Sequence, residues 1–290
     1  YCGGLPAPEA NNNPYGYKFS WSPRGVILAG LNNARYRRDS RVVEVPGEEL
    51  FDHVWDVPVT IEGQAFTLQG YPNRDSMPYT EVYGIDPRDV MFRGTLRFPS
   101  WCAIQKQTAR LGWLATDGID GLEGKTYADL TAQLAGLDGT DDLKAKVASQ
   151  LGVAADGPEV SGMEWLGLFS SDRLPGPPAP VDILTQRMLE KMSYNENERD
   201  LLVLQHTFVA EFPDKTEHIT STMIDFGIPG GDSSMNRTVG LPAAVAVRFI
   251  LEGRFNQPGV VVPVMKEFYA PALEELERLG IQFADEVKTV

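Results

Sequence analysis

Arg24 is the side chain of this sequence best placed to act on a small charged molecule. It stands between Pro23 and Gly25 at the mouth of the apolar run Val26–Leu31, where proline fixes the path of the chain and glycine lets another molecule come close. A guanidinium held in such a frame meets a carboxylate with two parallel hydrogen bonds. Upstream, Gly3 and Gly4 form a pair over which a ligand can approach the backbone, and Lys18 adds a second cation. The whole stretch from Tyr1 to Gly25 is dense in Gly, Pro and aromatic residues and reads as a ligand-cradling loop leading into a helix. Asn73, Arg74 and Asp75 make a third polar group, open to two readings: a binding role, or a structural Arg74–Asp75 ion pair on a turn.

Much familiar chemistry is absent. No Gly-rich turn between a strand and a helix is followed about 20 residues later by an acid, so there is no dinucleotide fingerprint. Gly227–Gly231 has the wrong spacing and reads as a turn. A nucleophile elbow, a phosphate loop and a zinc-type cluster are likewise missing, so the sequence designates no catalytic residue and no metal ligand. His53, His206 and His218 lack suitably spaced partners, and His206 and His218 sit in strand-like runs as structural side chains. Cys2 has no neighbouring base and reads as a small packed residue beside Gly3.

The 290 residues carry a formal charge of −14, which opposes binding to nucleic acid or an anionic membrane because the phosphate attraction becomes repulsion. Residues 1–42 run against this trend, with Lys18, Arg24, Arg35, Arg37, Arg38 and Arg41 facing only Glu9 and Asp39. A local positive field of this kind concentrates small anions. Arg35, Arg37, Arg38 and Arg41 also fit an exposed hairpin. No run of about 18 apolar residues and no basic-then-apolar start is present, and two cysteines make no disulfide framework. The composition is that of a cytoplasmic protein with reduced thiols.

The elements that must position these groups are those of an α+β protein, a mixed β-sheet with helices on one face plus an all-helical insertion. Ser22-Pro23 predicts a helix start. Strands are expected at Arg41–Val45, Val57–Ile61, Ala65–Leu68 and Val90–Leu96, with a short helix near Met77–Tyr83. Residues 1–98 thus form a first α+β part. Across 99–200 leucines recur at helical spacing, as in Leu130, Leu134 and Leu137, and Pro175–Pro180 is a stiff connector. Leu201–Phe212 and His218–Phe226 predict a hairpin that completes the sheet within 201–232. In 233–290 the run Leu241–Leu251 is a helix apolar nearly all round and in need of burial; a short strand at Val260–Val262 and a last helix near Phe268–Leu279 follow. The helix-free face of the sheet would be an apolar liability, predicting a homodimer across it.

The order of several runs resembles one family along residues 1–285. Tyr1-Cys2-Gly3-Gly4-Leu5-Pro6, Trp21-Ser22-Pro23-Arg24-Gly25, Tyr71-Pro72-Asn73-Arg74-Asp75-Ser76, Arg93-Gly94-Thr95-Leu96-Arg97, Glu198-Arg199-Asp200-Leu201 and Val239-Gly240-Leu241-Pro242 are similar to the saccharopine dehydrogenases of the glutamate-forming type. That resemblance implies oxidation of saccharopine with NADP or NAD to glutamate and aminoadipate semialdehyde, and an N-terminal Rossmann domain for the cofactor that this sequence lacks. The chain alone would then bind no cofactor and have no activity, and 233–290 would pack on the missing domain. By the same resemblance Arg24 holds a substrate carboxylate, the backbone of Val45, Pro46 and Gly47 contacts saccharopine, and Lys18, Asn73 and Arg74 are further substrate-side residues. Pro46 supplies no N–H for such a contact. Gly3 and Gly4 would lie near the nicotinamide. The alternatives from other classes are a non-catalytic dimerisation module and a related reductase acting on another amine.

Overall fold

In the computed structural model, which describes residues 1–85, 88–176 and 178–290, nine strands are present: β1 (Cys2–Pro6), β2 (Ala34–Arg38), β3 (Arg41–Val45), β4 (Trp55–Ile61), β5 (Gln64–Pro72), β6 (Gly94–Arg97), β7 (Asp200–Glu211), β8 (Thr216–Phe226) and β9 (Phe283–Thr289). Seven form one sheet in the order β4-β5-β6-β1-β7-β8-β9, and β2 with β3 makes a separate hairpin. Only the β1–β6 pair is parallel among the described strands, so the sheet is mixed. The helices are α1 (Pro23–Leu28), α2 (Tyr79–Tyr83), α3 (Trp101–Arg110), α4 (Tyr127–Leu134), α5 (Leu143–Leu151), α6 (Pro158–Leu166), α7 (Pro180–Met192), α8 (Ser234–Leu251) and α9 (Lys266–Arg278).

Local sequence explains many of these boundaries. Thr126 and Asp129 close a reciprocal capping box at the start of α4, satisfying two donors that the helix leaves free. Pro158 and Pro180 open α6 and α7, where their missing N–H costs nothing. Gly152 and Gly167 end α5 and α6 in the left-handed conformation. Pro177 of the proline connector lies outside the described residues.

Strand alternation gives the sheet two faces. Leu5, Val57, Val59, Leu68, Leu96, Leu201 and Val203 meet on one of them. That face carries no helix, and the expected liability is removed by curling. Arg199, just before β7, reaches Glu62 in the β4–β5 turn at 3.9 Å, although four strand spacings of a flat sheet span roughly 19 Å. On the other face Leu202 and Met223 pack under α8 and α9 with Val245, Phe249 and Leu276. Helices α3 to α7 gather around Trp101, Ile104, Trp113, Leu130, Met163 and Ile183, a core that Tyr15, Tyr17 and Tyr71 join to the sheet.

Several expectations are corrected. Cys2–Pro6 is no loop but the central strand β1, because β6 and β7 flank it on both sides. Arg41–Val45 pairs with Ala34–Arg38 instead of entering the main sheet. The strand expected from Val90 begins at Gly94. Val260–Val262 finds no neighbouring edge and forms no strand. Strand β9, which the sequence reading omits, pairs along β8 from Met223 to Glu217. Helix α8 begins seven residues earlier than expected, where the Ser233 hydroxyl accepts the Asn236 N–H at 3.1 Å.

Candidate functional site

The β1–β6 pair is the floor from which the candidate site rises. A Cβ on Gly3 would sit 2.8 Å from both Cβ and carbonyl oxygen of Leu96, and one on Gly4 would sit 2.6 Å from the Met235 methyl. Glycine is therefore what lets β1 lie against β6 below and α8 above. Cys2 pairs with Thr95 in register, so Cys2, Gly4, Thr95 and Arg97 share the face that the helices also occupy. Cys2 is exposed, not packed. Asn73 lies half-buried at the same floor, its Nδ2 donating to Thr95 Oγ1 at 3.1 Å.

Arg24 occupies the first turn of α1, half-exposed, and its Nε donates to Asp182 Oδ1 of α7 at 2.7 Å. Such an exposed pair holds its partners weakly, about 0–1 kcal/mol, which leaves the guanidinium open to exchange with another carboxylate. Val45 ends β3 and Pro46 begins the 3-10 turn Gly47–Asp52. Asn33 Oδ1 accepts the Gly47 N–H at 2.8 Å. A side chain at Gly47 would run into the Leu31 carbonyl, so this glycine is required by the contact between two turns. A cavity of 410 Å³ opens beside Val45 and Pro46, with Asn33, Arg35, Glu44 and Asp75 on its walls. Arg35 stands 3.4 Å from Glu44 and 3.5 Å from Asp75. This cavity thus presents both a cation and carboxylates.

The Arg74–Asp75 ion pair is not formed. Asp75 pairs with Arg35 and accepts the Met77 N–H at 2.9 Å, while Arg74 is exposed and held at φ +57. Lys18 is buried and donates to Glu198 Oε2 at 2.5 Å. Glu198 also accepts from the Asn195 N–H at 2.7 Å and Asn12 Nδ2 at 3.1 Å. Burial raises its pKa, but these hydrogen bonds outweigh it and bring the carboxyl down to about 2. The next two residues are equally occupied. Arg199 donates to Glu9 at 2.7 Å and lies 4.4 Å over the Phe226 ring, and Asp200 accepts the N–H groups of Ser234 and Met235 at 2.7 and 3.0 Å. Glu198-Arg199-Asp200 is therefore the joint between the first part, the sheet and α8. Nothing local in the sequence shows this, because the partners lie 34 to 190 residues away.

Among the described residues no three His, Cys, Asp or Glu side chains could hold a metal ion, and no helix is long and apolar enough to cross a membrane. His206 stacks on Phe283 at 5.9 Å, and burial lowers its pKa. Three arginines carry the chemistry for anion recognition: Arg24 on α1, Arg35 on β2 and Arg97 on β6. In the sequence Arg97 is only one member of the run Arg93–Arg97; its burial gives it a significance that no spacing rule supplies.

The profile of the saccharopine dehydrogenase C-terminal domain matches residues 1–281. Saccharopine dehydrogenase [NADP(+), L-glutamate-forming] of Saccharomyces cerevisiae is 40% identical over 300 residues, covering 100% of this chain and 66% of that protein. The mitochondrial alpha-aminoadipic semialdehyde synthase of Bos taurus is 35% identical over 292 residues, covering 98% of this chain and 31% of that protein. The solved apo structure of the histidine-tagged Saccharomyces cerevisiae saccharopine dehydrogenase (L-Glu forming) superposes with a TM-score of 0.88 at 37% identity over 99% of this chain and 66% of its own. The chain thus spans just under two thirds of the yeast relative and less than one third of the bovine one.

Proposed function

The chain belongs to the saccharopine dehydrogenase C-terminal domain family, and we propose that it is the substrate-binding and dimerisation part of a glutamate-forming saccharopine dehydrogenase of lysine metabolism. The observation that carries this reading is the 40% identity to such an enzyme across the entire chain. In the full protein a nicotinamide cofactor would supply the hydride acceptor for oxidising the carbon beside the secondary amine of saccharopine to an imine. Water then splits the imine into glutamate and aminoadipate semialdehyde. NADP is preferred to NAD because the yeast relatives carry it in their names.

Three carboxylates on one substrate call for several fixed cations and backbone donors. Arg24 exchanges Asp182 for a substrate carboxylate, the backbone of Val45, Pro46 and Gly47 contacts the substrate where Val45 and Pro46 line the cavity, and Asn73 and Arg74 are further substrate-side residues. Lys18 remains with Glu198. Gly3 and Gly4 provide a flat backbone surface for the nicotinamide end. Cofactor phosphates are held by an N-terminal Rossmann domain outside this chain, since the sequence has no fingerprint for them. The exposed side chains Val239, Val247, Ile250 and Leu251 of α8 are the surface on which that domain packs. A second copy covers the outer ends of β7 to β9, where Phe208, Val209, Phe212 and Val287 stand exposed, and the assembly works in the cytoplasm.

The test is saccharopine-dependent reduction of NADP⁺ by the full-length protein, with this chain alone in parallel. Turnover is expected only in the full-length protein, and calorimetry should show no NADP binding by the isolated chain tighter than about 1 mM. A full-length protein that binds NADP⁺ yet leaves saccharopine unchanged contradicts the reading.

A further inference from the structure

Arg97 is a buried cation for which the described residues supply no acidic partner. It is 6% exposed, and the titratable groups that face it, Tyr71, Tyr17, Cys102 and Cys2, all have pKa values raised above their ordinary ones and are neutral at pH 7. No carboxylate among the described residues is paired with it. Its Nη1 donates to the Leu96 carbonyl at 2.8 Å, and its Nε is enclosed with no partner. Directly across the strand pair stands Gln69, whose Oε1 is also enclosed and unpartnered. The guanidinium lies 4.8 Å over the Tyr17 ring and 5.6 Å from that of Trp101, which fixes its plane.

A buried cation without an anion is costly, and ring stacking offsets only part of that cost. Natural structures keep such a group where an anion arrives from outside. The way in lies on this face beside the Met235 methyl, which covers part of Gly4: Cys2 is exposed and Gly4 and Thr95 are half-exposed. With Nη1 committed and Nε enclosed, Nη2 is the nitrogen left for an incoming acceptor.

We infer that Arg97 is a second carboxylate-binding residue of the substrate site, receiving a carboxylate over the Cys2–Gly4 stretch of β1 while Arg24 holds another. This rests on the saccharopine reading above, since saccharopine has carboxylates at separated positions and a single arginine cannot hold them all.

The experiment uses the full-length protein and two variants, Arg97→Met and Arg97→Lys. Met has similar length and no charge, so the inference expects an unchanged or raised melting temperature, because an apolar replacement of an uncompensated buried charge is neutral or stabilising. It also expects the KM for saccharopine to rise at least tenfold. Arg97→Lys should recover part of that rise, since it keeps the charge but loses the planar edge. A KM within twofold of wild type in both variants overturns the inference, whatever happens to the melting temperature. Should the Met variant not fold, the Lys variant decides: a KM raised more than threefold supports the inference and an unchanged one overturns it. If wild type neither turns over saccharopine nor is thermally stabilised by it, the saccharopine reading fails instead. Glutarate then replaces saccharopine, and a wild-type thermal shift that is lost in Arg97→Met supports the arginine's role while no wild-type shift overturns it.

Discussion

The joint at Glu198-Arg199-Asp200 and the floor at β1 and β6 use charge in opposite ways. At the joint each charge is matched: Glu198 with Lys18, Arg199 with Glu9, and Asp200 with the first two N–H groups of α8. Elsewhere Arg97 has no acid and Arg74 no side-chain partner among the described residues, and Arg24 is held by one exposed carboxylate. Matched charge is architecture, since desolvation is balanced within the protein. Cations without a matching acid mark a candidate anion site. Both regions carry motifs of the same family, and only geometry separates them.

The largest expected effect falls at the joint. Lys18→Met leaves the half-buried Glu198 without its cation and should lower stability by about 2–3 kcal/mol, measured by urea denaturation; the double variant Lys18→Met, Glu198→Leu should regain most of it. A loss below about 1 kcal/mol in the single variant would make the pair incidental. The same pair predicts acid sensitivity. A glutamate in the unfolded chain titrates near 4.5 and Glu198 in the fold near 2, so its contribution is complete above about 4.5 and disappears as pH falls towards 2. Denaturation midpoints followed over that window should drop less in the double variant than in wild type.

Asp200→Ala comes next, because it removes the acceptor of two helix-terminal donors; a loss of about 2 kcal/mol is expected, with hydrogen exchange accelerated at Ser234 and Met235 before the rest of the sheet. Uniform acceleration would show that Asp200 does not act through α8. The smallest effect belongs to the floor side. Arg74→Gly relieves a left-handed backbone at φ +57, and after the entropy cost of glycine the net gain should be about 0.5 kcal/mol, detectable as a slightly higher melting temperature. A clear loss would mean that the Arg74 side chain supports the fold.

The sequence made legible those features whose causes are local. The β7–β8 hairpin, the helical run from Trp101 to Met192 and the start of α1 follow from alternation, periodicity and Pro placement. Strand β1 was hidden because Gly3, Gly4 and Pro6 are poor strand formers, and only β6 and β7, about 90 and 200 residues along the chain by their paired positions, make them extended. Strand β9 was hidden by its charged residues Asp285, Glu286 and Lys288, whereas Val260–Val262 has the right composition and no edge to join. The same limit applies to the site. Arg24 stood out through its immediate neighbours, and Lys18, the weaker candidate, looked available until Glu198, 180 positions later, was seen beside it. Arg97 looked ordinary until its surroundings proved to contain no acid among the described residues.

Melting temperature and kcat/KM for saccharopine, measured on the same preparation of full-length Arg24→Ala, test the distinction between architectural and ligand-holding charge most directly. Since the Arg24–Asp182 pair is exposed, its loss should change stability by less than about 1 kcal/mol. Removing a cation from a substrate carboxylate should lower kcat/KM by roughly 30-fold to several thousand-fold, corresponding to about 2–5 kcal/mol, with Arg24→Lys in between. A kcat/KM within about threefold of wild type, less than 1 kcal/mol of transition-state binding, together with a clearly lowered melting temperature, would assign Arg24 to the architecture and contradict the account.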